Sequence, residues 1–201
     1  MWGRQIMSID AARERAISSL REGAQLRLQL VEACIDTITQ AADVVHNCLA
    51  RGNKILLFGN GGSAADAQHI AAEFVCRFAG DRIPLPAIAL TTDTSALTAI
   101  GNDYGFEQVF ARPVTALGRP GDVAVAISTS GRSRNVLLGV EAARERGLTI
   151  VGLTGGDGGS LSAAVDICIV VPSTNTARIQ ECHLAIEHIL CEMVESLLFG
   201  K

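Results

Sequence analysis

Between residues 54 and 171 the chain repeats one pattern: short, nearly unbroken apolar runs separated by longer stretches of helical periodicity. The runs are "KILLFG" (54–59), "PAIAL" (86–90), "DVAVAIS" (122–128), "TIVGLT" (149–154) and "DICIVV" (166–171). A strand apolar on both faces is covered on both faces, the condition of a parallel sheet. The intervening pattern, such as Ser133 to Arg146 with Gly147 as a stop, supplies the covering helices. The pattern predicts an α/β fold: a doubly wound, parallel five-stranded sheet with helices on both sides. Ahead of it, Ser8 to Ala50 carries apolar residues at helical spacing without proline, and Gly52 is placed to end it. This predicts two helices or one long broken one. Leu26, Leu30, Ile35 and Ile38 form a stripe suited to another subunit. A last helix, opened by Thr176, runs to Phe199 and turns Ile179, Leu184, Ile186, Ile189, Leu190, Met193 and Leu197 inward. The expected organisation is a helical oligomerisation segment over 1–52 and one α/β domain over 53–201.

Composition narrows the functional classes. With 201 residues, 48% of them hydrophobic, the chain can bury a full core. A net charge of −4, with arginines scattered among acids, gives no general attraction to nucleic acid or to an anionic membrane. No run of about 18 apolar residues is present, and the opening "MWGRQIMSIDAARER" lacks the apolar core of a secretory signal. The expected partner is a small molecule, and the expected location is the cytoplasm. The six cysteines form no C-x-x-C pair and lie in apolar runs, as small buried hydrophobes do, so no disulfide framework is expected.

In a doubly wound sheet, ligands bind beyond the carboxyl ends of the strands, which singles out the loops after Phe58, Leu90, Ile127 and Leu153. The first, Gly59-Asn60-Gly61-Gly62-Ser63, lets bare backbone approach a ligand, and Ser63 with Asp66 has capping-box spacing. Written as G-x-G-x-x-A it imitates a dinucleotide fingerprint. The acid that fingerprint requires about 20 residues on is missing, since Asp93 lies too far along, and no lysine follows the glycines as in a Walker loop. The third loop, Ser128-Thr129-Ser130-Gly131-Arg132-Ser133, joins a strand to a helix start. Its hydroxyls and free amides suit a phosphate monoester, whereas a simple cap needs one serine.

Among titratable groups, His69 and Glu73 are four apart and share a helix face that aims at the sheet's carboxyl edge. The same spacing also fits a solvated surface pair. Gln180, His183 and His188 interrupt the apolar pattern of the last helix. His183 with Glu187 reads as an exposed pair. Gln180 and His188 are separated by about 12 Å of helix rise, so one site would have to receive them from its two ends or from two copies of the chain.

Taken together, "GNGGSAADAQH", "AIGNDYGF", "STSGRS" and "RIQECH" resemble the motifs of the phosphoheptose isomerases, sedoheptulose 7-phosphate isomerases of the sugar isomerase (SIS) fold family. The resemblance runs from Gly59 to His188. It implies substrate contacts at Asn60, Gly61, Gly62, Glu73, Asn102, Asp103, Ser128, Thr129, Ser130, Ser133 and Gln180. It also implies catalysis by Glu73 and His188 through an enediol, and a zinc ion held by His69, Glu73, Gln180 and His188. Tetramers with active sites between subunits, and a product destined for bacterial surface polysaccharide precursors, are further implications. SIS proteins that associate with the DnaA replication initiator share the first loop and "RIQE" but lack the acid and the last histidine, which this chain has as Glu73 and His188. A non-catalytic role of that kind is the alternative. "STNTA" before Arg178 departs from the family pattern.

Overall fold

The five apolar runs become the strands β1 (Ile55–Gly59), β2 (Ala87–Ala89), β3 (Val123–Ile127), β4 (Thr149–Gly155) and β5 (Ile167–Val171). They form one parallel sheet in the order β2-β1-β3-β4-β5. Around it lie α1 (Ile9–Ala50), α2 (Gly62–Val75), α3 (Thr94–Asp103), α4 (Ala111–Leu117), α5 (Arg134–Glu145), α6 (Leu161–Ala164) and α7 (Thr176–Phe199). The computed structural model describes residues 7–200, so the first six residues of the expected 1–52 segment lie outside the described residues.

Side-chain alternation along the strands separates two cores. Ile55 and Leu57 of β1 and Val123, Val125 and Ile127 of β3 face one side, where α1, α2 and α7 pack. Leu56 and Phe58, with Ala124 and Ala126, face the other, which is closed by α4 and α5. The expected fold class is the observed one.

Three expectations change. The N-terminal pattern forms a single unbroken helix, capped by the Ser8 hydroxyl accepting from the Ala11 amide at 3.2 Å and followed by Gly52 with φ 79°. Its stripe also belongs elsewhere: Leu26, Leu30 and Ile38 are buried within this chain, in the same core as Ile179, Cys182 and Ile186 of α7, while Ile35 is exposed. A helix of this length has more than one apolar face, and the row exposed on α1 is instead Leu20, Leu28, Val31 and Ile35. On α7, Ile189 and Leu197 point outward and Leu184 is only half-buried. His183, Glu187 and Glu195 take inward positions that periodicity reserved for apolar residues. Cys76 is exposed, the other five cysteines are buried or half-buried, and all six are free thiols. Among the described residues, no helix is long and apolar enough to cross a membrane.

Because Ile38 closes the α1–α7 seam inside one protomer, Ile38→Ala is expected to cost about 2–5 kcal/mol of stability, the usual range for emptying such a site. Urea unfolding checks this, and the loss should not vary with protein concentration.

Candidate active site

The loop after β1 turns at Gly61, whose φ of 56° belongs to the left-handed region, and this residue is the N-cap of α2. Helix α2 therefore starts one residue before Ser63, and no side chain caps it, which corrects the expected Ser63–Asp66 capping box. The second glycine of the turn has a packing reason: a Cβ on Gly62 would overlap the side-chain amide of Gln180 on α7. Asn60 is fixed by a reciprocal amide pair, donating from Nδ2 to Asn135 Oδ1 and accepting from Asn135 Nδ2, both at 2.8 Å. Asn135 is a buried member of the site that the sequence reading missed. Its place just inside the Ser133 to Arg146 helix marks a helix start and gives no sign of a side-chain partner in another loop.

After β3, the hydroxyls of Ser128 and Ser133 lie 3.2 Å apart, and the Arg132 amide donates to Ser130 Oγ at 3.2 Å. Ser133 is the N-cap of α5, yet its side chain makes no capping bond; Val136 donates its amide to Asn135 Oδ1 at 2.9 Å, which leaves the amides of Arg134 and Asn135 to face an anion. Gly131, at φ 62°, sits against the carbonyl of Gly158, and its own carbonyl accepts from the Leu161 amide at 3.0 Å. The loop after β4 thus buttresses the hydroxyl loop.

The titratable residues converge where α2 meets α7. His69 Nε2 lies 2.8 Å from His188 Nε2 and 3.7 Å from Glu73 Oε1. The two rings meet edge to face at 5.0 Å. The surface-pair reading of His69 and Glu73 gives way, because His188 approaches them from another helix. Gln180 is placed differently: its side-chain amide packs on Gly62, on the side of Asp66, whose carboxyl it pulls down against the rise that burial causes. Among the described residues no three His, Cys, Asp or Glu side chains make a ready metal cluster, although His69, Glu73 and His188 supply two of the three edges of one.

Comparison with known proteins places the chain in a family. The family model described as SIS domain matches residues 19–155. The chain belongs to the SIS domain family. Within that family it is 53% identical, over 185 residues, to a phosphoheptose isomerase of Aquifex aeolicus, a match covering 92% of this chain and 97% of that one. A phosphoheptose isomerase structure from Neisseria gonorrhoeae superimposes with a TM-score of 0.88 at 47% identity, covering 92% of this chain and 99% of the other. One from Francisella tularensis gives 0.90 at 40% identity, with 94% and 100% covered. The match to the SIS model begins inside α1, in keeping with the core that this helix shares with the sheet.

Asn102 and Asp103 end α3 on the exposed rim and bond to each other, Asn102 Nδ2 donating to Asp103 Oδ1 at 2.7 Å. The preceding Gly101 lines, with Asn60, Gly61, Thr98 and Phe106, a cleft of about 460 Å³. A larger, mainly apolar cavity of about 780 Å³ between β2, α3 and α4, lined by residues such as Ile88, Leu97 and Leu117, contains none of the nominated site residues. The smaller cleft is the one of the two that reaches nominated residues, Asn60 and Gly61.

Beneath the histidines lies a row of buried polar groups that the sequence reading placed on the surface. His183 is fully buried, and its Nε2 meets the Thr154 carbonyl at 3.1 Å, so that nitrogen carries the donated hydrogen. Burial pulls the imidazole down to about 4, against the bond to Thr154. Glu187, buried four residues on, is pushed up to about 8 by burial and then by the negative charge of Asp66. Its two oxygens, His183 Nδ1, Thr154 Oγ1 and Asp66 Oδ2 have no hydrogen-bond partner among the described residues.

These shifts act oppositely on stability. A raised folded pKa stabilises fully below the unfolded value and is lost as pH rises through about 8, so Glu187 weakens the fold between pH 4.5 and 8. His183, depressed from 6.5, gives its full contribution above 6.5 and loses it toward pH 4. From pH 6.5 to 8 the Glu187 slope stands alone. With chelator present and protein concentration fixed, Tm should fall by roughly 3–6 °C across that interval. Glu187→Gln should flatten the profile. Calorimetry at both pH values checks it.

Proposed function

We propose that this chain is an isomerase that converts sedoheptulose 7-phosphate to D-glycero-D-manno-heptose 7-phosphate through an enediol. It would work in the cytoplasm and feed bacterial surface polysaccharide precursors. The observation that carries the reading is the meeting of His69, Glu73 and His188 beside two ligand-accepting loops, in a chain 53% identical to a phosphoheptose isomerase. The alternative, a non-catalytic SIS protein that binds the DnaA initiator, gains nothing from relatives named as isomerases.

In this reading the hydroxyls and amides of Ser128, Thr129, Ser130 and Ser133 hold the 7-phosphate. Asn60, Gly61 and Gly62 take the sugar chain, with Gln180, Asn102 and Asp103 as further contacts. Glu73 removes a proton from C1 and returns it at C2 on the same face, and His188 exchanges protons with the two oxygens. The donor set of His69, Glu73, Gln180 and His188 suits zinc chemically: two imidazoles, a carboxylate and an amide oxygen. These four residues would hold the ion, with the two Nε2 atoms already side by side, and it would supply Lewis acidity toward the substrate oxygens. A carboxylate held firmly by metal is a poorer base, so Glu73 serves both needs only as a loosely held ligand.

Glu73→Gln should keep substrate binding and lower kcat by about 10² to 10⁴. The check is turnover of sedoheptulose 7-phosphate in deuterated water, with deuterium followed at C2 of the product. Near wild-type turnover in the variant removes Glu73 as the base.

The same reading makes the protein a homotetramer assembled through α1. Its support is the exposed row Leu20, Leu28, Val31 and Ile35, apolar residues at helical spacing that none of the described residues covers. Replacing Leu28 and Val31 by glutamate should give smaller species in sedimentation velocity and lower activity. A fully active monomer would end the assembly argument.

A further inference from the structure

Eleven residues, 76–86, link α2 to β2 without regular structure, and a buried ion pair organises them. Arg82 and Glu195 are both almost completely buried, with Arg82 Nε 2.8 Å from Glu195 Oε2. The carboxylate also accepts three backbone amides of the segment: Gly80 at 2.8 Å and Ala79 at 3.2 Å on Oε1, and Phe78 at 3.3 Å on Oε2. Burial raises this carboxyl, but the bonds from Gly80, Arg82, Ala79 and Phe78 outweigh it and hold the group down at about 2.

The far end of the guanidinium reaches the last turn of α2, where helix carbonyls lack partners in the helix itself. Arg82 Nη2 donates to the carbonyl of Glu73 at 2.7 Å, and Nη1 to that of Phe74 at 2.8 Å. Glu195 stands seven residues after His188 on α7, two turns along the same helix. Phe78, whose amide Glu195 holds, lays its ring against His188 at 5.8 Å with a tilt of 37°. One buried pair therefore grips the backbone of the candidate base and the ring that backs the candidate imidazole.

We propose that Arg82 and Glu195 are positioning residues for the isomerisation: they set the register between Glu73 on α2 and His188 on α7, with Phe78 as the contact that transmits it. The inference rests on the roles given above to Glu73 and His188. Arg82 suits the task because its planar fork bonds a carboxylate and two carbonyls at once, which a lysine cannot do. An error of about 1 Å in placing a proton-transfer group can cost on the order of 10²-fold in rate, so the pair's effect belongs in kcat. KM, set by the hydroxyl loop on the other face of the sheet, should barely move.

The test compares Glu195→Gln, Arg82→Lys, Phe78→Leu and Glu73→Gln in steady-state kinetics at 25 °C. Each protein is checked for native circular dichroism, and its Tm is recorded separately. Glu195→Gln and Arg82→Lys should lose about 10- to 100-fold in kcat with KM within about twofold of wild type. Phe78→Leu leaves the ion pair in place and should lose about 3- to 10-fold in kcat. Glu195→Asp keeps the charge at shorter reach and should recover part of the loss seen with Gln. If the ion-pair variants lower Tm but keep wild-type kcat per folded protein, the pair only stabilises the fold and the inference is overturned. If the ion-pair variants do not fold, Phe78→Leu decides, and wild-type kcat there overturns the inference. Wild-type turnover in Glu73→Gln would instead overturn the assignment of the base. A crippled Glu73→Gln beside unimpaired Glu195→Gln and Phe78→Leu would overturn the positioning role alone.

Discussion

Where α2 leaves the sheet, no side chain larger than a hydrogen fits between Gly62 and the amide of Gln180, and a Cβ on Gly59 would meet the Ile127 carbonyl at 2.7 Å and Ser63 Cβ at 2.8 Å. These contacts seat the start of α2 directly on α7 and on the end of β3. Once the start is seated, helix geometry decides the rest. His69 comes two turns along on the face toward α7, and Glu73 one turn further, where His188 stands. Sterically bare backbone at the strand end thus serves two purposes: it opens a loop to ligand and lets two helices approach closely enough for their side chains to share a site.

That closeness carries a cost beneath the site. Glu187 and His183 occupy positions on α7 where leucine or isoleucine would pack without penalty, and several of their polar atoms find no partner among the described residues. Groups of this kind persist against a stability disadvantage where function retains them or where ordered water completes their bonds. Their shifts follow from the surroundings: the imidazole remains neutral, and the carboxyl holds its proton well above the usual range. His183 and Glu187 therefore add little charge under the candidate catalytic residues at neutral pH, and Asp66 is the carboxylate of the row whose charge Glu187 feels.

The sheet was legible because parallel strands leave a clear mark, five apolar runs separated by helical stretches, although the strand order itself came from the structure. The two ligand loops were legible for a similar local reason, since glycines and clustered hydroxyls at strand ends have few structural uses. The pair interactions were not. Periodicity assigns a residue to a helix face but cannot say which partner that face meets, so the stripe of Leu26, Leu30 and Ile38 went to another subunit although α7 of the same chain covers it. The same blindness put His183 and Glu187 in solvent, because polar identity outweighed a position that faces the core. Asn135 and Arg82 were out of reach for a different reason. Their roles depend on contacts 75 residues away, with Asn60, and 113 residues away, with Glu195.

The strand order also explains why phosphate grip and proton transfer can be tuned separately. Neighbours β1 and β3 mark the point where the winding reverses, so the helices that follow them leave on opposite sides, and a crevice opens at their carboxyl ends. Helix α2 departs on the side shared with α1 and α7 and carries His69 and Glu73. Helix α5 departs on the other and presents Ser133 with its free amides. In the proposed function, a phosphorylated sugar bridging the crevice would be held at one end by groups anchored in one hydrophobic core and would meet proton-transferring groups anchored in the other. Repacking beneath α5 would then alter how the substrate is gripped, while a shift between α2 and α7 would alter how the proton moves. The sheet's central strands, buried on both faces, keep the two in register.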